Sequence, residues 1–166
     1  MHPAVRDFVA RHAPSISADM LEIGAVDING GVRDLFHPGC RWTGLDLAAG
    51  PYVDIVADAA TWDPPRRYDV VVCTEVLEHA EQWRGIVATC GRALRDGGLL
   101  LLTCAGPGRA PHGQHGDTLP APGEWYGNVH PDDLADEVAE WAAPGWIVQQ
   151  IGDDVQVRAW RALRGD

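Results

Sequence analysis

Unbroken apolar runs bounded by glycine, proline and acidic residues are the strongest pattern along this chain. The runs Tyr68–Thr74 and Leu99–Thr103 lack the alternation of a half-buried strand, which is typical of central strands covered on both faces. Three further segments rich in β-branched or aromatic residues are predicted as strands, namely Asp19–Ile23, Trp42–Leu47 and Val53–Ala57. The pattern therefore predicts a mostly parallel sheet.

Segments with helical spacing alternate with these strands. The predicted helices are His2–His12, Val32–Phe36, Glu81–Leu94 and a helix from Pro131 to about Trp141. Around the turn Gly152-Asp153-Asp154, the tail is predicted to form a β-hairpin from Trp146–Ile151 and Val155–Leu163. Strands that alternate with helices predict an α/β fold, with a Rossmann-like, doubly wound, seven-stranded sheet. We expect this sheet to be mostly parallel and to end in the antiparallel hairpin.

The length of 166 residues suits a single domain over residues 1–166, large enough for a sheet covered on both faces. Between Ala105 and Gly123 the chain is rich in glycine and proline and contains two histidines, His112 and His115. A loop of that length inside a compact domain is usually functional. We therefore predict that residues 105–130 form a lid or an acceptor-binding loop.

Composition excludes several classes of function. The formal charge of −11 would repel a nucleic acid backbone or an anionic membrane surface, so neither bulk nucleic acid nor a membrane is expected as a partner, whereas a short single-stranded end is not excluded. All 13 basic residues are arginine, which excludes Schiff-base chemistry, a P-loop lysine and a lysine general base. The four cysteines are widely spaced, which indicates free thiols rather than a zinc site or disulfides. No signal peptide or transmembrane run is visible, and a cytoplasmic location is expected.

A glycine turn that carries two carboxylates follows the first predicted strand. The segment DMLEIGAVDINGG, residues 19–31, has the layout of a cofactor loop, but it lacks the G-x-G-x-x-G spacing of dinucleotide-binding folds. Glu22 and Asp27 would also repel a pyrophosphate bound at this position. The loop therefore suits a cofactor that has a positive centre and no phosphate, and S-adenosylmethionine fits that description.

The chain resembles the class I S-adenosylmethionine-dependent methyltransferases, of the small single-domain type that carries an EVLEH motif. The matching segments occur in the family's order: LEIGAVDINGG (21–31), TGLDLAAG (43–50), VADA (56–59), YDVVVCTEVLEH (68–79) and LRDGGLLLLT (94–103). The resemblance implies methyl transfer from S-adenosylmethionine to a small-molecule acceptor. The chain departs from the family's commoner G-x-G-x-G loop at Val26 and Ile28, where Asp27 and Asn29 could shape the turn instead.

The same resemblance assigns cofactor contacts by position. Glu22, Gly24, Ala25 and Asp27 correspond to the loop around the methionine part of the cofactor. Asp46, followed by Leu47, corresponds to the acid that accepts hydrogen bonds from the ribose hydroxyls. Asp58 and Ala59 match the adenine position, and the turn beneath the transferred methyl corresponds to Thr74, Glu75 and Val76.

Histidines and acids near the EVLEH motif leave two alternatives open. His79 and His130 are candidate catalytic residues, and the lid histidines are the other plausible bases. In one alternative, no metal is used. In the other, a metal-assisted O-methyltransferase would hold Mg²⁺ or Mn²⁺ with Glu75, Glu78, His79 and His130. A non-catalytic binding module that retains the fold is the rival from a different class of function.

Overall fold

One seven-stranded sheet organises the protein in the computed structural model, which describes residues 3–28, 30–114 and 119–163. Its strands are β1 (Asp19–Ile23), β2 (Arg41–Asp46), β3 (Ile55–Val56), β4 (Tyr68–Thr74), β5 (Leu94–Ala105), β6 (Ile147–Ile151) and β7 (Asp154–Trp160). The spatial order is β3-β2-β1-β4-β5-β7-β6. The first five strands in that order pair in parallel, whereas β7 pairs antiparallel with both β5 and β6. The predicted α/β fold with its C-terminal antiparallel hairpin is confirmed.

Helices cover both faces of the sheet. They are α1 (Pro3–His12), α2 (Trp83–Ala93) and α3 (Pro131–Ala139). Phe8 and Val9 of α1 pack with Met20, Val70 and Leu101 on one face. On the other face, α2 and α3 pack against a larger cluster that includes Leu21, Val71, Leu100, Leu102, Ile86, Val87, Leu134 and Val138. Because consecutive residues of the central strands enter opposite clusters, those strands are apolar throughout, as their sequence predicts.

One predicted helix and one predicted strand are shorter in the structure than the sequence predicts. The expected helix Val32–Phe36 is only a 3₁₀ turn at Arg33–Leu35, because Gly31 and Pro38 leave too few residues for a stable α-helix. The third strand is two residues long rather than Val53–Ala57, since a turn in which Thr61 and Trp62 both donate to the Asp58 carbonyl follows it directly. The start of the first predicted helix, His2, lies outside the described residues.

The fifth strand begins earlier than predicted. Asp96-Gly97-Gly98 is a bulge within β5 rather than a loop before it, because the pairing of Tyr68 with Leu94 shifts register before Val70 pairs with Leu99. Helix α2 begins at Trp83, two residues later than predicted, after a 3₁₀ turn over Leu77–His79. No helix among the described residues has the length and apolar composition needed to cross a bilayer.

Candidate functional site

The carboxyl ends of four parallel strands open onto one cavity of about 880 Å³. Gly24 follows β1, Asp46 ends β2, Asp58 follows β3 and Thr74 ends β4, and all four residues line the cavity. This edge of an open parallel sheet is where ligands bind in such folds. Most of the predicted cofactor residues are therefore brought together, since Leu47, Ala59, Glu75 and Val76 line the same cavity.

Gly24 occupies a position that no other residue fits without strain. Its φ of +78° lies in the left-handed region, and a Cβ added there would lie 2.3 Å from Cγ2 of Val76. The Gly24 N–H donates to the Leu45 carbonyl at 2.9 Å, which ties the turn to the neighbouring strand β2. The turn after β1 thus passes close to the turn after β4, and both line the cavity.

The acid that ends β2 and the acid that follows β3 are both held by backbone donors. Oδ2 of Asp46 accepts from the Val26 N–H at 3.0 Å, and its Oδ1 accepts from the Ala48 N–H at 3.1 Å. Oδ1 of Asp58 accepts from the Ala60 N–H at 2.8 Å. A carboxylate has about four acceptor sites, so both side chains are oriented yet keep capacity for ligand hydroxyl or amino groups.

Glu22 lies beside the main cavity rather than in it. Its Oε2 accepts from Nε of Arg33 at 2.6 Å, and the guanidinium lies 4.9 Å from the Trp42 ring centroid and 4.7 Å from that of Tyr52. Burial raises the pKa of Glu22, an effect that Arg33 opposes. Sequence reasoning missed Arg33, although a buried acid at the end of a strand is a signal that a cation must lie nearby.

A second cavity of about 210 Å³ adjoins the first and accounts for the remaining loop residues. Glu22, Ala25 and Asp27 line it. Oδ1 of Asp27 accepts from the Gly30 N–H at 2.7 Å, which closes the turn. Asn29, which the sequence also assigns to this turn, lies outside the described residues.

Glu75 follows β4 in a strained conformation, with a φ of +57°. Its N–H donates to the Thr103 carbonyl at 2.9 Å, and its Oε1 accepts from the Thr103 hydroxyl at 3.0 Å. Its Oε2 lies 3.7 Å from the guanidinium of Arg109, which also pairs with Asp154. Burial raises the pKa of Glu75, whereas the Thr103 hydrogen bond and Arg109 oppose that shift. Arg109 is the second residue that sequence reasoning missed.

Arg109 belongs to the predicted lid, whose first residues are held by the end of the same loop and by strand β6. The amide of Asn128 donates to the carbonyls of Gly106 and Arg109, at 2.7 and 3.0 Å. Nε2 of Gln150 donates to the Pro107 carbonyl at 2.7 Å. The described part of this loop contributes residues 109–114 to the main cavity. Its function as a lid stays a prediction.

Buried polar groups and aromatic rings cluster between the EVLEH turn and this loop. Both carboxyl oxygens of the fully buried Glu78 and Nδ1 of His79 have no hydrogen-bond partner among the described residues. The rings of His79, His112 and Tyr126 meet edge to face, with centroids 4.9 to 5.6 Å apart. Sequence reasoning missed Tyr126, which carries no local pattern that distinguishes it from a surface residue.

Burial disfavours charge in this cluster. It raises the pKa of Glu78 well above its usual value, and the nearby Glu75 raises it further. Burial also lowers the pKa of His79 to about 4, an effect to which His112 adds. The pKa of Tyr126 is raised to about 12 by burial and then by Glu78. The imidazole of His79 and the phenol of Tyr126 are therefore uncharged at neutral pH.

The four predicted metal ligands do not come together. His130 is exposed at the start of α3, where its Nδ1 lies 4.0 Å from Asp132, and it does not line the cavity. Among the described residues, the potential donors that lie within 4.8 Å of one another are Glu78, His79 and His112. His115, the other lid histidine, lies outside the described residues.

Comparisons with known proteins agree with this geometry. A family model described as a methyltransferase domain matches residues 6–147. The ubiquinone biosynthesis O-methyltransferase of Erwinia tasmaniensis is 28% identical over 122 residues, which cover 62% of this chain and 49% of that protein. Its counterpart in Methylococcus capsulatus is 32% identical over 78 residues, which cover 47% of this chain and 32% of that protein. The chain thus spans half or less of the length of these relatives.

The fold recurs in a solved structure of low sequence identity. The Burkholderia thailandensis 1,6-didemethyltoxoflavin-N1-methyltransferase, with its substrate and S-adenosylhomocysteine bound, superimposes with a TM-score of 0.65 at 16% identity. The match covers 97% of this chain and 77% of that chain. At this level of identity the match establishes the fold alone.

Proposed function

We propose that this chain, which belongs to the methyltransferase-domain family, transfers a methyl group from S-adenosylmethionine to a small-molecule acceptor. The observation that carries the proposal is the convergence of Gly24, Asp46, Asp58 and Thr74 on one cavity at the carboxyl edge of the sheet. The family match and the names of the relatives support the reaction class, and the structural neighbour with S-adenosylhomocysteine supports the cofactor.

The residues present fit this cofactor. Three acids line the main cavity, namely Asp46, Asp58 and Glu75, and Arg109 is the one arginine among its described lining residues. A ligand with a sulfonium, an ammonium and no phosphate matches that balance better than a dinucleotide does. Asp46 would accept hydrogen bonds from the ribose hydroxyls, and Asp58 would accept from the adenine amino group.

The chain's own contribution is position and exclusion of water. When bound, the cofactor supplies an electrophilic methyl group on a positively charged sulfur. Gly24 and Val76, whose turns touch, would fix the reacting end, and residues 109–114 would cover the acceptor side. Holding the acceptor atom in line with the methyl removes most of the entropic barrier to the displacement.

Calorimetric titration with S-adenosylmethionine and S-adenosylhomocysteine tests the proposal. We expect Asp46→Asn and Asp58→Asn each to weaken binding by about 1–3 kcal/mol, the range for a hydrogen bond to a charged group. Asp63→Asn is the matched control, because Asp63 is exposed and does not line either cavity. Failure of the unmodified protein to bind either compound would refute the proposal and favour the non-catalytic binding module.

The acceptor is proposed only as a small molecule, since the relatives are named as oxygen methyltransferases and the structural neighbour as a nitrogen methyltransferase. The metal-assisted reaction stays a prediction. It requires activity that EDTA abolishes and Mn²⁺ restores, with a donor set that differs from the four residues that the sequence suggests, since Glu78 and His79 lie close to His112 rather than to His130. A cytoplasmic location is likewise proposed from the free thiols, of which Cys73, Cys90 and Cys104 are buried.

A further inference from the structure

We propose that His112 is the proton acceptor for a hydroxyl-bearing acceptor molecule, with Tyr126 as its positioning residue. The inference rests on the proposed methyltransferase function and assigns the acceptor side of the same cavity. It differs from the expectation for His79 and His130, because His112 combines a place in the cavity lining with a fixed tautomer.

The Ala110 carbonyl fixes the tautomer of His112. Nδ1 of His112 lies 3.2 Å from that oxygen, and the Tyr126 hydroxyl donates to the same oxygen at 3.3 Å. A carbonyl oxygen only accepts hydrogen bonds, so Nδ1 carries the hydrogen and Nε2 keeps the lone pair. The oxygen has two acceptor sites, which allows both groups to bind it together.

The edge-to-face contact of the two rings holds this arrangement from the other side. The centroids of His112 and Tyr126 lie 4.9 Å apart, with an interplanar angle of 65°. Tyr126 therefore fixes His112 through its ring and, by way of Ala110, through its hydroxyl. Because the phenol stays protonated at neutral pH, its hydrogen bond to the carbonyl persists.

The surroundings favour His112 over the other histidines as a base. The lowered pKa of His79 makes its imidazole a weak base, and His130 lies outside the cavity lining. The titratable and charged groups that face His112 come from the turn after β4, the 3₁₀ turn and the loop, and they are Glu75, Glu78, His79, Arg109, Glu124 and Tyr126. Burial favours the neutral forms of Glu78, His79 and Tyr126, and the ion pair of Glu75 with Arg109 lies beside them.

The proposed step balances in atoms and charge. The acceptor oxygen attacks the methyl carbon, a C–O bond forms, and the C–S bond breaks with its electron pair passing to sulfur. The hydroxyl proton moves to Nε2 of His112, which becomes an imidazolium and later releases the proton to water. One positive charge disappears from sulfur as another forms on the imidazole, so the net charge of the site is unchanged.

Transfer of a tritiated methyl group from S-adenosylmethionine to catechol and 3,4-dihydroxybenzoate tests the inference. These phenols are used because their hydroxyl groups are protonated at neutral pH and must lose the proton during methyl transfer. We expect the unmodified protein to methylate at least one of them. His112→Gln should lower kcat by about 10²–10⁴, the usual contribution of a general base.

Further variants separate catalysis from structure. Added imidazole should partly restore the activity of His112→Ala. Tyr126→Phe should show a smaller fall in kcat, which imidazole should not restore. The affinity of both variants for S-adenosylhomocysteine should stay within threefold of that of the unmodified protein. The exposed His37, which does not line the cavity, provides the control His37→Gln, and its activity should be unchanged.

Three outcomes would overturn the inference while leaving the proposed function intact. They are a cofactor-binding protein that methylates none of the phenols, a His112→Gln variant within threefold of the unmodified kcat, and activity that depends on Mn²⁺. Absence of S-adenosylmethionine binding would instead refute the proposed function itself.

Discussion

Gly24→Ala is the substitution whose cost the structure defines most closely. The new methyl group would lie 2.3 Å from Cγ2 of Val76, and the residue would keep a φ of +78°. A left-handed conformation costs an ordinary residue about 1–2 kcal/mol. Displacing a packed side chain costs a further ~1–3 kcal/mol. We therefore expect Gly24→Ala to lower the free energy of unfolding by about 2–5 kcal/mol, the sum of those terms.

Gly97→Ala separates the conformational cost of the left-handed backbone from the steric cost of the added methyl group. Gly97 has a φ of +74°, but a Cβ added there meets no atom within 4 Å. Its substitution should therefore cost only the conformational term. The lower entropy of the unfolded alanine variant affects both substitutions alike and cancels from their difference. Gly24→Ala should exceed Gly97→Ala by the steric term of about 1–3 kcal/mol.

Urea denaturation of both variants measures that difference, and a double-mutant cycle with Val76→Ala tests its origin. Shortening Val76 should recover the steric part of the Gly24→Ala cost and leave the conformational part. Of the two glycine variants, only Gly24→Ala should weaken S-adenosylhomocysteine binding, because Gly24 lines the cavity and Gly97 does not. The reasoning fails if the two glycine variants cost the same within 0.5 kcal/mol, or if the cycle shows no coupling, since contacting residues usually couple by at least about that amount.

Three further substitutions test the electrostatics of the site. Arg33→Met should cost about 3–5 kcal/mol in urea denaturation by leaving the buried Glu22 unpaired, and adding Glu22→Gln should recover most of that loss. Glu78→Gln should stabilise the protein, because the raised pKa of Glu78 stabilises the folded state only below about pH 4.5 and this stability is lost as the pH rises. The free energy of unfolding of the variant should exceed that of the unmodified protein by an amount that grows between pH 5 and pH 8, and a constant difference would contradict this. Arg109→Gln removes the cation beside Glu75, so calorimetry should show tighter binding of cationic S-adenosylmethionine relative to neutral S-adenosylhomocysteine, and an unchanged ratio would be evidence against it.

Local patterns predicted the elements that the sheet buries on both faces. Tyr68–Thr74 has the predicted bounds in the structure, because a strand packed on both sides must be apolar at every position. The same reasoning failed for Val32–Phe36, where helical spacing exists but the flanking glycine and proline leave room for only a 3₁₀ turn. Hydrophobic spacing indicates which face a segment would bury, but it does not show whether the segment is long enough to form a helix.

The residues that line the cavity were predicted where they belong to a single turn, and they were missed where they depend on contacts between distant parts of the chain. Gly24 and Asp46 were assigned by the family resemblance, and both lie where a strand ends. Arg109 lies 45 residues before its partner Asp154, and Tyr126 lies 16 residues after Ala110. Such contacts depend on how the loop folds back onto the sheet, and no periodicity in the sequence encodes that path.

The distribution of charge along the cavity suits a reaction that discharges a cation. A carboxylate next to the sulfonium would stabilise the bound cofactor more than the transition state, in which the positive charge is already dispersing, and would therefore slow transfer. Asp46 and Asp58 lie at the ends of β2 and β3, which the proposed function assigns to the ribose and adenine. At the proposed reacting end, burial favours the neutral form of Glu78, and Arg109 partly offsets the charge of Glu75. Under the proposed function, Asp46 and Asp58 would therefore contribute to binding, and negative charge would be restrained where it would raise the barrier.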